Sequence, residues 1–371
     1  MAEQPLRLCY TYPVIVVFPL PPLLPTNPYL DLLTTPMAAQ SVNVRRGRPR
    51  TELPRLLIGR EARIVHIHFF DELTQSIDAA QTAARSLGFL GLLAALRARG
   101  VQQVWTAHNL QPHEAHHPHW AERVYRSVAR SSAAIIAHSH AARAQLEQRY
   151  GPLPQCVVIP HGNYIGCYGP QQAQTASRAA LGIPATGSIV LALGALRPYK
   201  GLEDLLQAFA SLPAPTRGTL LITGHAKDHA YAATLAQQAA SIAGAHVRPQ
   251  FVPNDAVATY LAAADLVALP YRQMLTSGAL LAAFSYGRPV LAPALPPIAE
   301  LVRDGVNGFL FTPGDVATLA TALGRAINAP HRAEMGQHAL ATAQSFDWST
   351  IAAQTADVYR AVLRSTRTNQ E

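Results

Sequence analysis

Only two of the 30 basic side chains in this 371-residue chain are lysines, and one of them stands in "LALGALRPYKGLEDLLQAFA", residues 191–210. Leu202, Leu205, Leu206 and Phe209 repeat at helical spacing, so a helix is predicted to begin near Gly201; the run before it reads as a strand. Arg197 and Lys200 then fall in the turn between a strand's C-terminal end and a helix's N-terminus. Open parallel sheets take ligands at that edge, and helix N-termini favour anions. Lys is a mobile point charge, whereas Arg grips two oxygens in fixed geometry. One of each suits a diphosphate leaving group, with Lys200 expected to be exposed. A solvated turn is the plain alternative, but a surface charge in this Arg-rich chain would be expected to be Arg.

A second turn of the same kind lies in "LPYRQMLTSGALLAAFSYGRPVLAP", where Thr276, Ser277 and Gly278 open a helix that stops at Gly287. Hydroxyls there can cap the helix or donate to a phosphate, and Gly278 would let that phosphate approach the backbone. Glu300, in "ELVRDGVNGFLF", is expected beside the same edge, binding a ribose or sugar hydroxyl or merely capping. Neither G-x-G-x-x-G after the first strand nor G-x-x-x-x-G-K-[ST] occurs, which argues against dinucleotide oxidoreduction and P-loop hydrolysis.

The first half carries a different set. "TAHNLQPHE" puts His108 and Asn109 at a strand end, with His113 and Glu114 just beyond. Glu114 or His108 at such an edge could take a proton from an attacking hydroxyl. "PHGNY" adds His161 and Asn163 at the domain junction, as candidates to hold the donor's nucleotide or sugar. "TNPYL" adds Asn27 after the first strand; Asn27, Asn109 and His113 are expected on the acceptor side. "HEAHHPHW" lacks strict ligand spacing, so a metal there is not expected.

These residues need strands to carry them. "YPVIVVF", "RIVHIHFF", "QQVWTAH", "AAIIAHS" and "PQCVVIPHG" read as strands of the first half, separated by helical stretches such as "AERVYRSVARS" and "HAARAQLEQRYG". "SIVLALG", "TLLITG", "AHVRPQFV", "ADLVALP", "RPVLAP" and "GFLFTP" repeat the rhythm in the second. Strand–helix alternation predicts parallel sheets covered on both faces. The fold expected is therefore α/β, two facing Rossmann-like domains over 1–168 and 169–345. A last helix within 346–371 packs back on the first domain.

Bulk properties agree with a compact globular enzyme: 49% of residues are apolar and 14% charged. Cys9, Cys156 and Cys167 are unpaired in spacing, which suggests a reducing compartment. No stretch reads as long and apolar enough to span a bilayer; "LGFLGLLAAL" is too short, and no signal peptide is apparent. Residues 1–170 hold 16 Arg against 10 Asp and Glu, leaving the second half little of the net +8. A basic first half suggests an acidic partner surface. "RRGRPR" at 45–50 and the stripe Arg123, Arg126, Arg130 are the candidate contacts.

"GALRPYKGLEDLLQAF" and "GRPVLAP…ELVRDGVNGFLF" resemble the donor-domain motifs of the GT-B nucleotide-sugar glycosyltransferases. With "TNPYL", "VHIHFF", "TAHNLQPHE" and the Thr-Ser-Gly turn in the same order, residues 26–293 resemble the β-mannosyltransferases of xanthan assembly within that group. The resemblance implies a GDP-mannose donor, a lipid-linked saccharide acceptor, no metal or other cofactor, and Arg197 and Lys200 on the donor diphosphate. Many members of the wider superfamily carry two carboxylates eight positions apart; the matching positions here are Met274 and Ala282, so their retaining mechanism does not transfer. The expected function is a hexosyltransferase of exopolysaccharide or glycolipid synthesis. It would be cytoplasmic, peripherally held by an anionic inner membrane surface, with no nucleic-acid partner. A nucleotide-sugar epimerase of the same fold, or a non-catalytic nucleotide-sugar-binding subunit, are the competing readings.

Overall fold

The computed structural model describes residues 15–21, 27–47, 58, 63–112 and 114–368. Its first sheet is built from β1 (Ile15–Leu20), β2 (Val42–Val44), β3 (Arg63–Ile67), β4 (Gln102–Thr106), β5 (Ala134–Ala137) and β6 (Cys156–Val158), in spatial order β2-β1-β3-β4-β5-β6. The second contains β7 (Ile189–Leu193), β8 (Thr219–Thr223), β9 (Ala245–Arg248), β10 (Leu266–Ala268), β11 (Val290–Pro293) and β12 (Gly308–Phe311), in order β12-β11-β10-β7-β8-β9. Every pairing is parallel. β1 and β8 are buried along their whole length, as apolar strands covered on both faces must be. Among the described strands the sequence reading missed β2, at the edge of the first sheet.

Strand order reverses between β1 and β3 in one sheet and between β7 and β10 in the other, and crevices open at such points. The two turns singled out above follow β7 and β10, which pair directly. After β7 the chain makes a 3₁₀ turn, Pro198–Lys200, then enters the helix Leu202–Ser211. Gly201 joins them at φ 63°, and a Cβ there would overlap the Pro270 carbonyl, so only glycine fits. The helix buries Leu202, Leu205, Leu206 and Phe209, the predicted stripe.

The last helix, Trp348–Thr368, packs on the first sheet: Trp348, Ile351 and Tyr359 share a buried cluster with Ile15, Val17, Ile64 and Val104. Trp348 Nε1 donates to the Asn163 carbonyl (2.6 Å), and its indole lies flat against Gly162, where any Cβ would overlap it.

One expectation is corrected. "LGFLGLLAAL" lies in the C-terminal half of a 20-residue helix, Ala79–Ala98, and by length and composition that helix is apolar enough to cross a membrane. The helix continues into flanking alanines that the apolar run alone did not count. It buries Phe89, Leu93 and Leu96 against the first sheet and exposes Leu87.

Candidate active site

Between the sheets lies a cleft of about 770 Å³, lined from the second domain by Gly194, Ala195, Arg197, Gly224 and Gly278 and from the first by Asn27 and Pro28. Arg197 reaches across it to within 3.6 Å of Glu114, so the expected diphosphate anchor and the expected base form an ion pair between domains. Lys227 and Glu72 make a second pair over the same gap, at 3.0 Å.

Lys200 is not the exposed side chain the sequence suggested. It is half-buried, with its ammonium 5.7 Å from the centre of the Tyr271 ring and close against Gly194. Burial, and then the neighbouring charge of Arg197, push its pKa down from 10.5 to about 8. Among the described residues no carboxylate pairs with this cation, and an anion entering the cleft would supply that charge.

In the second turn, Ser277 Oγ accepts from Leu280 N (3.0 Å) as a helix cap, while Thr276 Oγ1 has no partner. At Gly278 a Cβ would come 2.9 Å from the Tyr164 hydroxyl; the glycine makes room for that tyrosine as well as opening the cleft wall. Ala282 lines the cleft one turn further on, so no carboxylate enters from that position.

The first domain contributes a group that sequence reading did not assemble. His66 and His68 come from the end of β3, His108 follows β4, His138 follows β5 and His161 precedes the junction after β6. Four of them pack around Tyr29, which lies 4.8 Å from His108 and 5.0 Å from His161 between ring centres, and His66 packs against His68 at 4.0 Å. His66 is hydrogen-bonded to Tyr359 Oη (2.6 Å) and Thr106 Oγ1 (2.8 Å), and His68 to His108 (3.3 Å). Burial drives every one of them toward the neutral form: His66 and His161 to about 3, His138 to about 4, and His68 and His108 well below 6.5. Among the described residues no three His, Cys, Asp or Glu side chains converge as metal ligands.

The remaining candidates are scattered. Asn27 lines the cleft, its Oδ1 accepting from Tyr29 N (3.0 Å), while Asn109 is half-buried after β4. His113 lies outside the described residues. Asn163 is turned away from the cleft, donating to the Ala343 carbonyl (3.0 Å). Glu300 crosses the domain gap to accept from the backbone of His140 (3.1 Å) and Ala141, and so caps the first turn of the helix His140–Tyr150. Asp71 was missed altogether: it starts a short helix after β3, accepts from Tyr125 Oη (2.7 Å) and feels Arg197. Burial raises its pKa more than those partners lower it.

Two Rossmann-like domains facing each other across a cleft, with the last helix returning to the first, define the GT-B class. Residues 12–163 match the family described as Glycosyltransferase Family 4, and residues 187–329 match Glycosyl transferases group 1. The chain belongs to the GT-B glycosyltransferases of group 1.

A D-inositol 3-phosphate glycosyltransferase from a Nocardioides species is 33% identical over 61% of this chain and 53% of its own length. The GDP-mannose:glycolipid 4-beta-D-mannosyltransferase of Xanthomonas campestris pv. campestris is 29% identical over 77% of this chain and 75% of its own length. The chain thus spans about half the length of the first of these relatives. In fold, it superposes on Anabaena HepE, solved with UDP and glucose, with TM-score 0.71 at 22% identity, covering 94% of this chain and 100% of that one.

Proposed function

We propose that the chain transfers a hexose, mannose from GDP-mannose, to a lipid-linked saccharide. The observation that carries this reading is Arg197 lining the cleft at the β7/β10 switch point, with the Lys200 ammonium close behind its Gly194 wall. The Xanthomonas relative, matched over three-quarters of its length, supports the donor and the glycolipid acceptor. Arg197 and the half-buried Lys200 supply positive charge to the departing diphosphate, so transfer is expected to survive metal chelation.

The Arg197–Glu114 pair gives the cycle an order. Donor phosphates compete with Glu114 for Arg197, and their arrival releases the carboxylate to take a proton from the acceptor hydroxyl. Glu114→Gln is expected to abolish transfer while GDP binding is kept. Loss of transfer in His108→Gln alone would move the role to His108, and normal transfer in both would place the base elsewhere. Labelled GDP-mannose separates the competing readings: label on a lipid supports transfer, an altered sugar an epimerase, and unchanged donor a binding subunit.

A lipid-linked acceptor requires the enzyme to work at a membrane surface. Arg123 and Arg130 are exposed on the helix Pro118–Ser131, but Arg126 between them is tied to Glu122 at 2.5 Å, so the stripe offers two unshared charges rather than three. Of "RRGRPR", residues 48–50 lie outside the described residues, and Arg46 is paired with Asp31. Sedimentation with anionic but not zwitterionic vesicles, released by salt, is expected. Changing Arg123 and Arg130 to Gln is expected to weaken it with GDP binding intact. Equal pelleting of that variant would remove this helix as the contact.

A further inference from the structure

A second, smaller cavity, of about 230 Å³, lies between the domains on the other side of the Thr276–Gly278 turn. The helix Gly278–Ser285 separates the two spaces. Gly278, Ala279 and Ala282 face the large cleft, while Ser277, Leu280 and Leu281 face the small cavity.

The second domain gives this cavity apolar walls, Leu280 and Ile298 among them, and Phe346 just beyond it adds another; the first domain gives it His138 and His161. His138 Nδ1 faces the Ile159 carbonyl (3.0 Å) and His161 Nδ1 the Gly162 carbonyl (2.7 Å), so Nδ1–H is the donor in each ring and Nε2 is left as an acceptor. Burial keeps both rings neutral, at about 4 and about 3, so those acceptors persist at neutral pH. Among the described residues His138 Nε2 and Thr276 Oγ1 have no hydrogen-bond partner. No lysine or arginine among the described residues lines the cavity. Its one carboxylate, Glu300, already accepts from the His140 and Ala141 amides.

Acceptors without cations, set opposite apolar walls, fit a particular chemistry. We propose that this cavity binds one uncharged, hydroxyl-rich ring of the acceptor saccharide and refuses a phosphorylated one. Ring hydroxyls donate to the two imidazoles, and the ring's C–H face lies on Phe346 and Ile298. A phosphate would lose its hydration beside a carboxylate with no cation to replace it. The volume, below that of sites for drug-sized ligands, suits a single ring. The inference rests on the transferase reading and adds to it where the acceptor sits and which class of acceptor is admitted.

The test is saturation-transfer NMR on the full chain with methyl α-D-glucopyranoside, methyl α-D-mannopyranoside and myo-inositol 1-phosphate, each with and without GDP. A neutral pyranoside is expected to bind and to stay bound when GDP is added, while the inositol phosphate does not bind. His138→Asn keeps an N–H for Ile159 but deletes the far acceptor, and is expected to weaken the pyranoside about tenfold, the scale of one hydrogen bond. His138→Gln, whose Oε1 reaches the Nε2 position, is expected to restore it. Preference for the inositol phosphate, displacement of the pyranoside by GDP, unchanged binding in His138→Asn, or binding of GDP alone would each overturn the proposal. Pyranoside binding without GDP binding would instead sink the donor reading and leave the cavity assigned.

Discussion

Lys200→Ala is expected to lower turnover by about a hundredfold or more, the usual scale for losing one electrostatic group that acts on developing charge. The ammonium sits over Tyr271 and beside Gly194, at the edge of the cleft that Arg197 lines. Its depressed pKa adds a signature that a merely structural lysine would not show. The protonated form is the one that holds a diphosphate, and it is lost as pH rises through about 8. GDP affinity of the parent protein is therefore expected to fall above pH 8, and that fall is expected to vanish in Lys200→Ala. Because the side chain is half-buried against an aromatic ring, a small loss of stability accompanies the change; a thermal melt separates it from the kinetic loss. A near-normal rate, or an unchanged pH dependence, would remove Lys200 from the site.

Acidification is expected to unfold the first domain well before ordinary carboxylate titration would. The imidazoles of His66, His138 and His161 hold protons with pKa values of about 3, 4 and 3 in the folded chain, against about 6.5 when exposed. The folded form thus binds fewer protons than the unfolded form between pH 6.5 and about 4, so stability is complete above 6.5 and falls as pH drops through that window. Each such group costs about 1.4 kcal/mol per pH unit there, and three together about 4. That is a large fraction of the roughly 5–15 kcal/mol that holds a domain folded. Urea denaturation followed from pH 7 to pH 4.5 is expected to show a steeply falling midpoint. His66→Gln is expected to flatten the slope by about one proton. A midpoint that stays level to pH 5 would mean the histidines are hydrated or paired in solution.

How much of this was legible beforehand depended on distance along the chain. The strand–helix turns were readable because their signals are local: Leu202, Leu205, Leu206 and Phe209 announce the helix, and Arg197 and Lys200 lie just before it. Eleven of the twelve described strands lie in apolar runs that could be seen, whereas β2 reads Val-Asn-Val between polar neighbours and offers no such run. The histidine cluster was not readable, because its members stand far apart in sequence, as His68 and His108 do at 40 residues. Only the register of β3 to β6 brings their ends side by side. "VHIHFF" held the available clue, two histidines at the C-terminal edge of one strand, an edge where His108 had already drawn attention. Glu300 misled for the opposite reason. Its neighbours in sequence belong to the second domain, but its partners, the His140 and Ala141 amides, belong to the first.

The helix Trp348–Thr368 bears on how the chain is made. All six strands of the second sheet lie within residues 189–311, and the helices that follow, as far as Ala343, complete its core, so that domain can fold once this unbroken stretch has emerged from the ribosome. The first sheet is translated earlier but cannot close its core, because Trp348, Ile351 and Tyr359 fill one face of it. Synthesis order and completion order are therefore reversed. Until the last helix arrives, Ile15, Val17, Ile64 and Val104 stand open to solvent or to whatever chaperone holds them.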